Sequence, residues 1–365
     1  MFDPTARLVL HVGRSKTGTT ALQRFLEKNR AELATAGLHL PDFFIGPNHA
    51  DLAIAYSQRP GSIASALAVE TDHDRAALRE RIGEQLRRNV RPGQTWMFTS
   101  EHLATRLRSR AEVTHLLSDL SAHFGKIWVI AQIRRPDHLT PSLYSESMKD
   151  GGVRSFDEAF VAAFHRHFDQ PTFRSNWSGL GAEVVLRPYV ERYRAEPDAF
   201  FRDWLTVLDR TSGIRLASRA WEIPARPANE ALPSPAVAYL RSVNLARSAT
   251  SVSGAGRRKL IRALRAVPGP PLGQTPTAAA ALVDKGWELA GLTPHEFEDP
   301  LWDEWFAQES GLVSDFGALS DAEMDDIAAI CKKQGAHPQG LGLADRLPRS
   351  LSQRVRRSVI RFTRR

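Results

Sequence analysis

The run Leu8-Val9-Leu10-His11-Val12-Gly13-Arg14-Ser15-Lys16-Thr17-Gly18-Thr19-Thr20 puts an apolar, strand-like segment directly ahead of a glycine-bearing turn and a helical pattern. That order builds an anion cradle. Backbone N–H groups of the turn converge on one point, the helix N-terminus adds about half a positive charge there, and Lys16 adds a full one. The common mononucleotide loop reads G-x-x-x-x-G-K-[ST], with its lysine after the second glycine. Here Gly13 and Gly18 keep the glycine spacing, but Thr19 stands at the lysine position and Lys16 lies inside the loop. The displaced lysine disfavours an ordinary nucleoside triphosphatase.

Three further segments carry chemistry. Ile133-Arg134-Arg135-Pro136-Asp137 closes the most strand-like run of the chain, and Ser142 follows Arg134 by eight residues. An arginine leaving the end of a strand can fork onto a phosphate, and a serine at the start of the next helix can donate its hydroxyl to the same group. Taken alone the segment is an ordinary strand exit with Asp137 as a helix cap; behind an anion loop it becomes a second anion site. In Phe98-Thr99-Ser100-Glu101-His102-Leu103 the Glu101 carboxylate can take a proton from an attacking hydroxyl. Equally, Ser100 can cap a helix with Glu101 in its first turn. In Asn48-His49-Ala50-Asp51 the His49 imidazole is a second candidate base; the plainer alternative has Asn48 starting a helix with His49 in its first turn. Two separated anion sites suit a nucleoside phosphorylated at both 5′ and 3′ positions, and no acidic strand end suited to magnesium accompanies them.

The loop string His11-Val12-Gly13-Arg14-Ser15-Lys16-Thr17-Gly18-Thr19-Thr20-Ala21-Leu22-Gln23 resembles the 5′-phosphosulfate loop of PAPS-dependent sulfotransferases, in the bacterial carbohydrate-type branch. The Arg134…Ser142 pair is similar to the 3′-phosphate element of that family, with Arg135 where asparagine is often found. Thr99-Ser100-Glu101 is similar to its S-S-E-x-L segment, with Thr99 replacing the first serine, and Asn48-His49 is similar to its N-H-x-x-L-A element. The resemblance covers residues 8–190 well and the remainder thinly. It implies PAPS as co-substrate without a metal, and a hydroxyl or amine acceptor on a carbohydrate or glycolipid. By the same resemblance Arg14, Ser15, Lys16, Thr17, Gly18, Thr19 and Thr20 hold the 5′-phosphosulfate, and Lys16 supports charge on the bridging oxygen. Arg134 and Ser142 hold the 3′-phosphate, with Glu101 or His49 as base. Arg226 and Asn229-Glu230 are weaker marks of the same branch, and Arg257-Arg258-Lys259 reads as a solvated charge run. An atypical P-loop kinase of small molecules, and a non-catalytic protein docking through its basic tail, remain as alternatives.

These residues need a scaffold, and the pattern supplies one. Strand-like runs at Leu8–Val12, Leu38–Leu40, Thr95–Thr99, Lys126–Ile133 and Glu183–Leu186 alternate with helical stretches at Thr19–Asn29, Ala76–Asn89, Ala111–Leu120 and Asp198–Leu208. Such alternation predicts an α/β three-layer P-loop-like sandwich around a central parallel sheet. Beyond residue 215 helical patterns dominate, at Pro235–Ala246, Gly256–Ala266, Thr277–Leu289 and Asp321–Lys333, broken by Pro268–Gly273. The expected division is therefore a PAPS-binding core over 1–215, a helical acceptor-side extension over 216–345 and a tail over 346–365. The tail holds eight arginines and no acid, so the net charge of +8 sits there and the other residues balance. Its apolar residues fall at helical steps, which suits an anionic membrane surface, an acidic polymer or a partner protein rather than a specific nucleic acid; the plainer alternative is a frayed, solvated terminus. With 365 residues, 42% of them hydrophobic, one cysteine and no apolar run of membrane-spanning length, the chain reads as a cytoplasmic protein, peripheral at most at the inner membrane face.

Overall fold

In a computed structural model, residues 6–59, 64–65, 67–224, 232–247, 254–269, 286–293, 299–307 and 319–336 are described. Five strands, β1 (Arg7–Val12), β2 (Leu38–His39), β3 (Thr95–Ser100), β4 (Lys126–Arg134) and β5 (Glu183–Tyr189), form one sheet in the order β2-β3-β1-β4-β5. Every pairing is parallel, with His11 opposite Thr99 on one side of β1 and Ile130 on the other. The three inner strands are buried almost throughout, which is why their sequences read as apolar runs rather than alternations. The structure is thus an α/β sandwich on a parallel sheet. Its strand order reverses between β1 and β4, and ligands of open parallel sheets bind outside the strand ends at such a point.

The chain divides into two compact units. The first comprises Met1–Arg135, Arg166–Pro227 and Leu289–Gln308. It holds the whole sheet with the helices Thr19–Lys28, Arg30–Thr35, Ala50–Tyr56, Asp72–Asn89, Glu101–Arg106, Arg110–Ser121, Gln170–Trp177, Arg192–Ala195, Pro197–Ser212 and Pro300–Ala307. Helix Pro197–Ser212 buries Phe200, Phe201, Trp204, Leu205 and Leu208 along one face, and Gly213 in the left-handed region ends it. A buried indole needs a partner for its N–H. Trp204 Nε1 donates to Gln132 Oε1 on β4 at 3.2 Å, and Gln132 in turn donates to the Pro188 carbonyl on β5.

The second unit comprises Pro136–His165, Ala228–Glu288 and Glu309–Arg365, with described helices Pro136–Lys149, Glu158–Ala163, Ser234–Arg247, Gly254–Leu264 and Asp321–Lys333. A helix leaves its last carbonyls without internal donors, and in Pro136–Lys149 side chains from the other helices of this unit supply them. Asn244 Nδ2 donates to the Met148 carbonyl at 2.9 Å and to that of Gly152 at 2.7 Å, and the Arg257 guanidinium reaches the carbonyls of Met148 and Lys149. Arg257 is therefore a partly buried cap, not part of a solvated run, whereas Arg258 and Lys259 are exposed. No described helix is long and apolar enough to cross a membrane. Arg226, Asn229, Glu230, most of the expected helix 277–289 and the tail 346–365 lie outside the described residues.

One buried carboxylate fastens two of these helices. Ser109 and Glu112 form a capping box at the start of Arg110–Ser121. The second Glu112 oxygen accepts the backbone N–H of Gln58, just beyond helix Ala50–Tyr56, at 2.8 Å. Burial alone would raise the Glu112 pKa, but the N–H groups of Gln58, Arg108 and Ser109 outweigh it and hold the carboxyl below its ordinary value of 4.5. Its stabilising contribution is complete above the unfolded pKa and is lost as pH falls through the folded one. Glu112→Gln should therefore cost about 1–3 kcal/mol near pH 7, with the gap in melting temperature to the parent narrowing below pH 4. An equal gap at both pH values would contradict this.

Candidate active site

The site grows from the C-terminal ends of β3, β1 and β4. The N–H of Gly13 donates to the Ser100 carbonyl at 3.0 Å, extending the contact of β1 and β3 one residue past the ladder. A Cβ at position 13 would lie 2.9 Å from the Cα of Glu101 and 2.8 Å from Thr19 Oγ1, so only glycine admits this approach. Lys16 and Gly18 then take left-handed backbone, φ 63 and 82, with Thr17 between them. Such alternation of hand makes the concave backbone nests that bind anions. Gly18 is also the N-cap of Thr19–Lys28, with no side chain capping it, and a Cβ there would press on the Phe200 ring at 2.9 Å. The backbone N–H groups of Thr17, Gly18, Thr19 and Thr20 meet no acceptor among the described residues, and neither does the buried Thr19 Oγ1.

Within the loop the side chains divide. Arg14 is buried, its Nη2 donating to the carbonyls of Arg166 at 3.0 Å and His167 at 2.9 Å with the guanidinium 4.7 Å above the Phe173 ring. Burial lowers its pKa to about 10, with Asp169 opposing that shift. The side chain is a bolt for the loop, its Nη2 committed to main-chain carbonyls. The Thr17 hydroxyl donates to the Arg14 carbonyl at 2.7 Å. Ser15 and Lys16 are half-buried, and Thr20 is exposed.

Across the reversal point, Arg134 ends β4 at 7% exposure and its Nη1 donates to the Lys16 carbonyl at 3.3 Å. Its Nη2 pairs with Glu191 at 3.2 Å, and its Cζ lies 5.5 Å from the centre of the Tyr189 ring. Glu191 and Tyr189 lie outside the site residues named from the sequence; their only signal there was a position at the end of β5 or just past it. Ser142 lies in helix Pro136–Lys149 of the second unit, half-buried. Arg135 turns away from this region, donating to the carbonyls of Trp305 at 2.7 Å and Phe306 at 3.2 Å.

Glu101 is both a strand-end carboxylate and the first residue of helix Glu101–Arg106, which Ser100 caps through His102 N–H. The two sequence alternatives for this segment are therefore compatible. His49 is the left-handed N-cap of Ala50–Tyr56, φ 41, rather than a first-turn residue. Its Nδ1 accepts the Thr99 backbone N–H at 3.1 Å, and the Thr99 hydroxyl meets His11 Nδ1 at 2.8 Å. Burial, with the charge of Arg30 behind it, pushes the His49 pKa down to about 3, and burial does the same to His11. A neutral imidazole that accepts at Nδ1 carries its proton on Nε2. His49 thus offers a hydrogen-bond donor at Nε2. Together with Gln23, Arg30 and Pro47, His49 and Thr99 line a narrow recess.

Among solved structures, the chain is similar to a sulfotransferase from Alicyclobacillus acidocaldarius, with 14% identity and a TM-score of 0.35 over 73% of this chain and 96% of that one. No protein-family model matches the chain, and no curated protein matches it.

The His49 geometry has a spectroscopic consequence. Imidazole nitrogen NMR should show protonated Nε2 and unprotonated Nδ1, with no titration from pH 5 to 9; a midpoint near the ordinary 6.5 would contradict the buried donor.

Proposed function

We propose that this chain is a PAPS-dependent sulfotransferase, transferring the sulfuryl group to a hydroxyl or amine of a carbohydrate or glycolipid and releasing PAP. The observation that supports the reading is the bond from Arg134 to the Lys16 carbonyl, which sets the guanidinium proposed for the 3′-phosphate beside the loop proposed for the 5′ group, at the reversal point of the sheet. A nucleotide with phosphates on both ends of one ribose needs two such sites. A triphosphate, with its charge in one chain, does not need the second. The loop fits the 5′ group by its own chemistry: four backbone N–H groups and the buried Thr19 hydroxyl lack acceptors among the described residues, and a helix N-terminus with free N–H groups suits an anion.

In this reading Thr17–Thr20 bind and orient the phosphosulfate, and Lys16 supports the charge that grows on the oxygen leaving sulfur. Arg134 holds the 3′-phosphate. Since Arg134 is already paired with Glu191, binding there exchanges one ion pair for another. Glu101 takes the acceptor proton as the acceptor oxygen bonds to sulfur and the bond from sulfur to the PAP oxygen breaks. Glu101 is preferred to His49 because the imidazole lone pair is engaged by Thr99 N–H. The arginine tail would hold the enzyme at an anionic surface.

PAP should raise the melting temperature, and Lys16→Ala or Arg134→Ala should remove most of that rise. Stabilisation by ATP with magnesium, and none by PAP, would overturn the reading. With labelled PAPS and fractionated cell glycans, Glu101→Gln should lower kcat by about 10²–10⁴ while leaving PAP affinity unchanged.

A further inference from the structure

A group of arginines without carboxylate partners lies one short helix away from Glu101. Helix Glu101–Arg106 begins at the proposed base and ends at Arg106, about 7.5 Å further along its axis at 1.5 Å per residue, and Arg108 follows. Two staples draw further arginines to the same place. The Glu112 carboxylate accepts the N–H of Gln58 at 2.8 Å, of Arg108 at 2.7 Å and of Ser109 at 2.8 Å, so Arg59 and Arg108 follow or occupy positions held on one anion. Arg14 holds the carbonyl of Arg166 beside the phosphate loop.

The charges are close enough to act on one another. Besides burial, Arg166, Arg59 and Arg106 each lower the pKa of Arg108, and only Glu112 raises it. The Glu112 oxygens are already spent on three backbone N–H groups and the Ser109 hydroxyl. Arg59, Arg106, Arg108 and Arg166 form no ion pair among the described residues, and Arg106 Nε is buried without an acceptor. Elsewhere in the same unit arginines find carboxylates, as in Arg30–Glu27, Arg75–Asp72, Arg88–Glu84 and Arg192–Asp203. Outside the tail the chain balances basic against acidic residues, so an uncompensated cluster is a local departure that excess charge does not explain. Like charges gathered on one surface raise the local concentration of anions, and guanidinium forks fit carboxylate and sulfate geometry.

We propose that Arg59, Arg106, Arg108 and Arg166 dock an oligosaccharide acceptor that carries its own carboxylate or sulfate groups, placing an uncharged hydroxyl of that acceptor at Glu101. The transfer step rests on the sulfotransferase reading; the docking does not.

Calorimetric binding of the full chain to tetragalacturonate, a heparin tetrasaccharide and neutral cellotetraose tests it, with PAP affinity measured in parallel. One or both anionic tetrasaccharides should bind at least tenfold more tightly than cellotetraose, and the one that binds better identifies carboxylate or sulfate as the group recognised. Arg59→Gln/Arg106→Gln/Arg108→Gln should lose tenfold or more of that affinity with PAP binding intact, and the single variant Arg108→Glu should lose at least threefold. The control Arg87→Gln/Arg88→Gln/Arg91→Gln removes equal charge near the start of β3, at the other end of the strand from Glu101, and should change affinity less than twofold. Undiminished binding by the first triple variant, an equal loss in the control, or indifference to the charge of the sugar would overturn the proposal. So would tighter, arginine-dependent binding of oligo(dT), which would make the surface one for nucleic acid. If PAP failed to bind while arginine-dependent tetrasaccharide binding persisted, the sulfotransferase reading would fall and the docking surface would stand.

Discussion

The hydrogen bond from Gly13 N–H to the Ser100 carbonyl is the contact on which the rest of the candidate site depends. A parallel ladder brings strand ends level, but it does not bring their outgoing chains together, because β1 and β3 each turn into a helix. At this bond the two chains approach so closely that the Cα of Glu101 occupies space a side chain at position 13 would need. A helix N-terminus carrying Glu101 and another carrying the Thr17–Thr20 amides are thereby set side by side. Donor groups and a carboxylate would otherwise have no reason to share a corner.

Holding that corner costs backbone strain and buried polarity, and the structure compensates both locally. Lys16 and His49 adopt left-handed backbone without being glycine, a conformation that costs of order 1–3 kcal/mol each and persists where surroundings over-determine it. His49 is held by Thr99 N–H and flanked by the Phe44 and Phe98 rings; the residues beside Lys16 are held by the Arg14 bolt and the Thr17 hydroxyl. The chain His11–Thr99–His49 crosses from β1 through β3 to helix Ala50–Tyr56. Each member has a partner, which is what a buried polar chain requires to avoid a net penalty.

Charge is distributed with the same economy. Arg14, Arg135 and Arg257 are spent on main-chain carbonyls of distant segments, Arg134 is shared between the Lys16 carbonyl and Glu191, and the cluster around Arg108 has Glu112 as its one opposing charge, already engaged by backbone N–H groups. A guanidinium can do any of these things because its donors fan out in a plane on a long stem. Its role is therefore set by what lies within reach, not by its neighbours in sequence.

What the sequence determined by itself follows from short-range physics. The apolar runs of β1, β3 and β4 had to be buried parallel strands, and the expected helix Asp321–Lys333 matches in full because Ser320 and Glu323 form a capping box three residues apart. Helix Asp72–Asn89 starts four residues before the periodic pattern suggested, at a Thr71–Asp74 box that apolar spacing alone overlooks. The glycine spacing placed the turn into helix Thr19–Lys28 for the same reason, since the left-handed Gly18 and the helix N-terminus it caps are neighbours in sequence. Only the tertiary structure decided that Arg14 is a bolt, that His49 accepts the Thr99 N–H at Nδ1, that Glu191 sits on Arg134, and that Pro136–Lys149 packs with Ser234–Arg247 in a second unit. Each of those depends on where a carbonyl, an amide or a carboxylate some 50 to 150 residues away comes to rest, and no local pattern encodes that distance.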